Sequence, residues 1–242
     1  MTVRRLYVPN LPEAGGVLTL DESGARHARV LRLRPGDAVE LFDGAGRSAQ
    51  ARMLSVGDVV ECEASPTSAA EDAHTRVVLL LAIPKGSKLD DCVRMATELG
   101  VAAIALVQAE RSVPRWDQDR ARSRVDRLTR IAAEAAAQCE RADIPIIDGP
   151  KPCAEWLRIV PPGVHGVVFG ARAEGPFTLS ETPEQVWCAI GPEGGFTDAE
   201  LGAFDAAGFD IASLGRWILR VDTAVSAALT LVQDRLAFAQ AR

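Results

Sequence analysis

Histidine is scarce in this chain of 242 residues, and cysteine is sparse and unpatterned. His27, His74 and His165 are scattered, which leaves no metal-ligand spacing and no Ser-His-Asp or Cys-His order for nucleophilic catalysis. Cys62, Cys92, Cys139, Cys153 and Cys188 are odd in number and form no CxxC pair, so they read as reduced, buried thiols in a cytoplasm. Apolar runs are short. The longest, Val77 to Ile83, is far too short to span a bilayer, and the opening MTVRRLYVPN lacks the apolar region of a secretory signal. No GxGxxG follows a strand and no GxxxxGK[ST] occurs, which excludes the common dinucleotide and triphosphate loops.

What is present has the composition of a soluble globular protein, 48% hydrophobic and 25% charged, long enough for one large domain or two small ones. A net charge of −6 argues against a nonspecific nucleic-acid coat. The charge is uneven, however. Glu110 to Arg130 holds seven Arg against four acids, whereas Ala142 to Leu214 holds three basic residues against eleven acids. A local basic face can bind phosphate on an acidic protein, although helix ion pairs would also use those Arg residues.

The first seventy or so residues read as β-rich. Leu6 to Val8, Val17 to Leu20, Ala38 to Phe42, Ala49 to Leu54 and Val59 to Glu63 are short runs broken by Gly, Pro and Asn, a pattern that predicts a small barrel. Gly24 to Arg34 reads as a basic helix or turn with Val30, Leu31 and Leu33 facing inward. Ser65 to Ala73 has linker composition. Beyond it the pattern changes. Strands are expected at 77–83, 101–107, 144–147, 166–169 and 186–190, with helices at 89–99 and 122–139. Nearly continuous apolar strands separated by helices predict a parallel sheet covered on both faces.

The most informative stretch runs from Val186 to Leu229. It repeats one arrangement, a short apolar strand, a glycine turn and a helix. The first turn is Gly191-Pro192-Glu193-Gly194-Gly195 and the second Gly215 to Arg220. Thr197 and Glu200 form a predicted capping box, Gly208 a C′ glycine, and Asp222 or Thr223 a cap for the last helix. One such turn fits an ordinary βαβα unit. Two adjacent turns, with Glu193 in one and Arg216 and Arg220 in the other, point to a ligand site at the strand ends. Lys85-Gly86-Ser87-Lys88, between a strand and a helix, reads either as a phosphate grip or as solvated lysines.

These residues carry a resemblance. IGPEGGFTDAEL followed by LGRWILRVDTAVSAAL is similar to the paired C-terminal motifs of the ribosomal RNA small-subunit methyltransferase E family, of the knotted SPOUT class. The similarity continues through Pro84 to Lys88, Met95 to Val101, Glu110-Arg111-Ser112, Ala135 to Arg141, Arg5 to Val8 and Leu31 to Asp37, so it covers nearly the whole chain in order. Trp217 stands where Arg is common, and Val221 and Asp222 where Thr and Glu are common.

The resemblance implies an α/β fold: a PUA-like β-barrel at 1–72 and a SPOUT domain with a trefoil knot at 73–242, its last helix threaded through a loop around Gly170, Gly191 and Gly215. It implies S-adenosyl-L-methionine as cofactor, held by Phe169, Gly170, Ile190, Gly191, Glu193, Gly194, Leu214, Gly215, Ile218 and Leu219. The implied product is N3-methyluridine in 16S ribosomal RNA, made by a cytoplasmic homodimer without metal. Arg220 is the candidate catalytic cation for the uracil anion; an ion pair with Asp222 or a helix end is its alternative role. Glu193 is either a base or an acceptor of backbone N–H bonds. Arg29, Arg32, Lys85, Lys88, Arg111 and Arg141 are the candidate RNA contacts. Methylation of guanine N1 or a ribose 2′-oxygen, or a non-enzymatic assembly factor, are the competing readings.

Overall fold

The computed structural model describes residues 4–69, 76–170, 173, 175–179, 181 and 183–240, the last three by backbone only. The chain divides into two compact units, Met1–Ala73 with Ala133–Ile144, and His74–Ala132 with Pro145–Arg242.

The first unit contains β1 (Arg5–Tyr7), β2 (Gly16–Thr19), α1 (Glu22–Val30), β3 (Ala38–Phe42), β4 (Arg47–Val56), β5 (Val60–Ala64) and β6 (Ser68–Ala69). The strands form one sheet in the order β1-β3-β4-β5-β2, with β6 paired to β4. β1 runs parallel to β3 and the other pairs are antiparallel. Period-two alternation explains the register. In β4, Ala49, Ala51 and Met53 are buried while Gln50, Arg52 and Leu54 face solvent. The buried side meets Ala25 and Ala28 of α1 in a core with Leu6, Val39, Leu41 and Cys62. Part of the predicted linker is therefore strand, in β6; 70–73 lies outside the described residues.

Asp21 caps α1 by accepting the Gly24 N–H at 2.7 Å. The helix ends in a Schellman turn in which the Leu33 N–H donates to the Ala28 carbonyl (3.1 Å) with Arg32 at φ 53°. That turn corrects the inward triplet expected from the sequence at Val30 alone, since Leu31 packs partly buried against the core. Gly24, Ala25 and Ala28 form the buried face, Leu33 is buried beyond the turn, and Val30 is left exposed on the opposite side.

A single cut after residue 72 also misses a segment. Ala133–Ile144 belongs with the first unit. The buried Arg5 guanidinium donates to the Arg141 carbonyl (2.7 Å), the Gly46 N–H to Ala142 (3.1 Å), and the Ile144 N–H to Gly44 (2.9 Å).

The second unit runs β7 (Arg76–Ala82), α2 (Lys88–Glu98), β8 (Ala103–Val107), α3 (Gln118–Gln138), β9 (Ile146–Lys151), α4 (Cys153–Leu157), β10 (Val164–Phe169), β11 (Gln185–Ile190), α5 (Asp198–Ala206), β12 (Phe209–Ala212) and α6 (Val221–Gln240). The end of α3 counts with the first unit. All six strands are parallel, in the order β12-β10-β11-β7-β8-β9. Burial of Val77 to Ala82 along β7 shows a strand covered on both faces, as its unbroken apolar run requires. α2 presents Leu89, Cys92, Val93 and Ala96 at helical spacing and closes on Gly100, whose φ of 83° suits a C′ glycine. Gly166 in β10 is a packing requirement: a Cβ there would lie 2.4 Å from the Phe209 ring. Because every strand points the same way, the loops after β10, β11 and β12 emerge on one edge.

Candidate active site

Those three loops enclose a pocket of about 650 Å³, counting its open mouth. Phe169 and Gly170 come from the end of β10, Ile190 from the end of β11, Gly191 to Glu193 and Gly195 from the loop after it, and Leu214, Gly215 and Trp217 to Leu219 from the loop after β12; Val221 and Ala224 of α6 complete it. The wall is mostly apolar side chain and backbone, with the Glu193 carboxylate as the acidic group at the rim. Such a lining suits a ligand recognised by main-chain N–H and C=O groups with apolar contact around them.

Local chemistry fixes each turn. The Gly195 N–H donates to the Pro192 carbonyl (2.8 Å), and Gly195 holds φ 69°. This is a left-handed geometry that a Cβ would strain. At α5, Thr197 and Glu200 make the reciprocal capping box that their spacing predicts. Glu200 also accepts the Glu110 N–H (2.9 Å), which joins the loop after β8 to the start of α5. The Arg111 guanidinium then donates to the carbonyls of Gly194 (2.9 Å) and Phe196 (3.3 Å). In the last loop Gly215 stands at φ 122°, and its N–H donates to Ser213 Oγ (3.1 Å).

α6 starts at Val221, three residues earlier than a Thr223 cap requires, and Asp222 lies inside its first turn. The Asp222 carboxylate accepts from Lys88 Nζ at 2.8 Å. That hydrogen bond, outweighing partial desolvation, holds the carboxyl below the ordinary carboxylate range.

Over residues 71–233 the sequence matches the profile of an RNA methyltransferase domain, and over residues 20–58 that of an RNA methyltransferase PUA domain. The ribosomal RNA small subunit methyltransferase E of a Synechocystis strain is 32% identical over 214 residues, covering 86% of this chain and 69% of that protein. The chain belongs to the ribosomal RNA small subunit methyltransferase E family. Its counterpart in Mycobacterium tuberculosis is 30% identical over 240 residues, covering 96% of this chain and 92% of that one. Among solved structures, the family member from Neisseria gonorrhoeae, bound to S-adenosyl methionine, aligns with a TM-score of 0.88 at 28% identity over 96% of this chain and 98% of the other. A putative methyltransferase from Legionella pneumophila, also with that cofactor, gives 0.86 at 26% identity over 97% and 98%. The α/β class expected from the sequence holds: a parallel-sheet methyltransferase domain accompanied by a PUA domain.

The structure brings together nine of the ten residues named for the cofactor; Gly194 is the exception. A Cβ on Gly194 would point at the Arg111 side chain, 3.3 Å away, and Gly195 takes its place in the wall. Glu193 accepts the Lys85 N–H at 3.1 Å, the backbone role that was its alternative to a base. Arg220 is exposed between two lining residues, Leu219 and Val221. Its carbonyl accepts the Ala224 N–H (2.8 Å), and its guanidinium has no ion pair among the described residues.

The residues named for RNA do not form one cluster of unengaged cations. Arg111 clamps the glycine loop, and Lys88 pairs with Asp222. Arg141 pairs with Asp143 (2.6 Å), and Arg29 donates to the Gly57 carbonyl (2.7 Å). Lys85 and Arg32 are exposed. Pro192, Gly195, Trp217, Val221 and Ala224 line the pocket without having been named for it. Gly195 was legible in principle, as the glycine that closes a Pro-Glu-Gly-Gly turn.

Among the described residues no helix is long and apolar enough to cross a membrane, and no group of three His, Cys, Asp or Glu could hold a metal ion.

Proposed function

We propose that this protein transfers the methyl group of S-adenosylmethionine to N3 of a uridine in 16S ribosomal RNA. The pocket of glycine turns at three adjacent strand ends carries this reading, together with family membership and the cofactor seen in the neisserial relative. The lining fits the cofactor: Phe169, Leu214, Ile218 and Leu219 offer apolar contact to an adenine, and the main chain of Gly170, Gly191 and Gly215 offers close polar groups. When bound, S-adenosylmethionine supplies a methyl carbon on a positively charged sulfur, open to direct displacement by nitrogen.

The chain's own task is positioning and electrostatics. Uridine N3 carries a proton at neutral pH, which is lost to solvent in this reading, and a cation near the uracil carbonyls favours the resulting anion. Arg220 has the position and the unpaired guanidinium for that task. Glu193 is a scaffold acceptor rather than a base in this reading, because the Lys85 N–H already uses its carboxylate.

RNA contact rests on Lys85 and Arg32, with Arg120, Arg122 and Arg124 on the exposed start of α3. The PUA-like region at 1–72, together with Ala133–Ile144, helps hold the RNA, and the rest of the SPOUT region at 73–242 carries the chemistry. The reading includes a trefoil knot around the three glycine loops, a homodimer with the cofactor near the subunit contact, and a cytoplasmic location. Calorimetric titration with S-adenosylmethionine tests its first step. Saturable one-to-one binding that Gly195→Val abolishes supports it; absence of binding to the wild type overturns it.

A further inference from the structure

The mouth of the pocket carries a large aromatic side chain that neither the core nor the glycine turns use. Trp217 lines the pocket, yet 72% of it is open to solvent. Among the described residues it is the only exposed aromatic. Of the other indoles, Trp156 and Trp187 are buried, each with its N–H donated to an oxygen, and Trp116 is half-buried. The Arg216 guanidinium lies over the Trp217 ring, 5.0 Å from its centroid, and has no ion pair among the described residues. The loop is anchored on both sides of the indole, by Ser213 at Gly215 and by the Ala224 N–H at the Arg220 carbonyl.

A flat, polarisable ring held at the edge of a pocket, with a cation on one side, is a surface on which an unpaired base stacks. Every base has a π-face, so an unpaired pyrimidine can stack on the indole as any base can. We propose that Trp217 is the stacking platform for the pyrimidine that receives the methyl group, with Arg216 and Arg220 supplying positive charge around it. This rests on the function proposed above. The stacked base would lie beside the pocket without occupying it, which leaves the cofactor lining free.

The test uses full-length protein and small ribosomal subunits from cells lacking it. Trp217→Phe, Trp217→Leu and Trp217→Ala are compared in single-turnover methyl transfer at saturating cofactor and varied subunit concentration. Cofactor affinity is measured by calorimetry and oligomeric state by sedimentation. The expected result is a loss of roughly 5- to 150-fold in kcat/KM for the subunit in the Leu and Ala variants. Phe should recover most of it, with cofactor affinity and sedimentation unchanged. Leu matching Phe would overturn stacking. A parallel loss of cofactor affinity would assign the indole to the cofactor, and dissociation into smaller species would assign it to a second copy; either overturns the proposal. Wild-type protein that transfers no methyl group overturns the function and this inference together. An active wild type with an equally active Ala variant overturns only the inference.

Discussion

Lys88 Nζ lies 2.8 Å from the Asp222 carboxylate, a bond across 134 residues that joins the first turns of α2 and α6. It places an anion where the α6 dipole favours one, and it removes Lys88 from the cations available to RNA. Asp222 has a depressed folded pKa, so its contribution is complete above the unfolded value of about 3.9 and is lost as pH falls through the folded value. Lys88→Met removes the cause. Thermal midpoints should therefore favour the wild type at neutral pH, with the gap closing as pH falls below about 4. A gap that stays constant into acid would mean the pair contributes nothing through ionisation.

Gly166 is set by the Phe209 ring, which a Cβ would meet at 2.4 Å. Gly166→Ala should destabilise by at least the ~1–3 kcal/mol typical of overpacking. Adding Phe209→Leu should restore part of that loss. Denaturant midpoints for the two variants check the coupling, which strict additivity would refute.

The Arg111 clamp separates a structural role from an RNA role. Arg111→Ala frees the carbonyls of Gly194 and Phe196, so cofactor affinity should fall about tenfold through loss of charged hydrogen bonds to the loop. The salt dependence of RNA binding should stay the same. Lys85→Ala should do the reverse, lowering the salt slope by about one while cofactor binding holds. Filter binding over a salt series, paired with calorimetry, distinguishes the two; a flattened slope in Arg111→Ala would return that residue to the phosphate contacts.

Much of this was legible in the sequence, and the gaps have identifiable causes. Alternation in β4, the apolar run of β7 and the Thr197–Glu200 spacing are local signals, and the structure follows them. The glycine turns announced the pocket because they follow strands that all end on one edge. Which glycine faces the ligand was not legible. Gly194 and Gly195 are neighbours, and only the turn geometry directs one toward Arg111 and the other into the wall. Ion pairing was equally hidden. Nothing within the Lys85 to Lys88 segment indicates Asp222, and α4, only five residues long, is too short for helical periodicity to show.

Arg220→Ala should leave cofactor affinity nearly unchanged and slow single-turnover methyl transfer on the order of a hundred- to a thousand-fold, as expected when a transition-state contact worth ~3–4 kcal/mol is lost. Arg220→Lys keeps the charge without the planar fork and should retain intermediate activity. Near-normal turnover in Arg220→Ala would leave the residue a structural role at the start of α6.

The most direct test of the account is the identity of the methylated nucleoside. Small subunits from cells lacking the protein would be incubated with the purified protein and isotopically labelled S-adenosylmethionine, and the RNA digested for mass spectrometry. The account predicts label in N3-methyluridine from a single position of 16S RNA, accumulating far more slowly when Arg220→Ala replaces the wild type. Label in N1-methylguanosine or a 2′-O-methylated nucleoside, or no label at all, would contradict it.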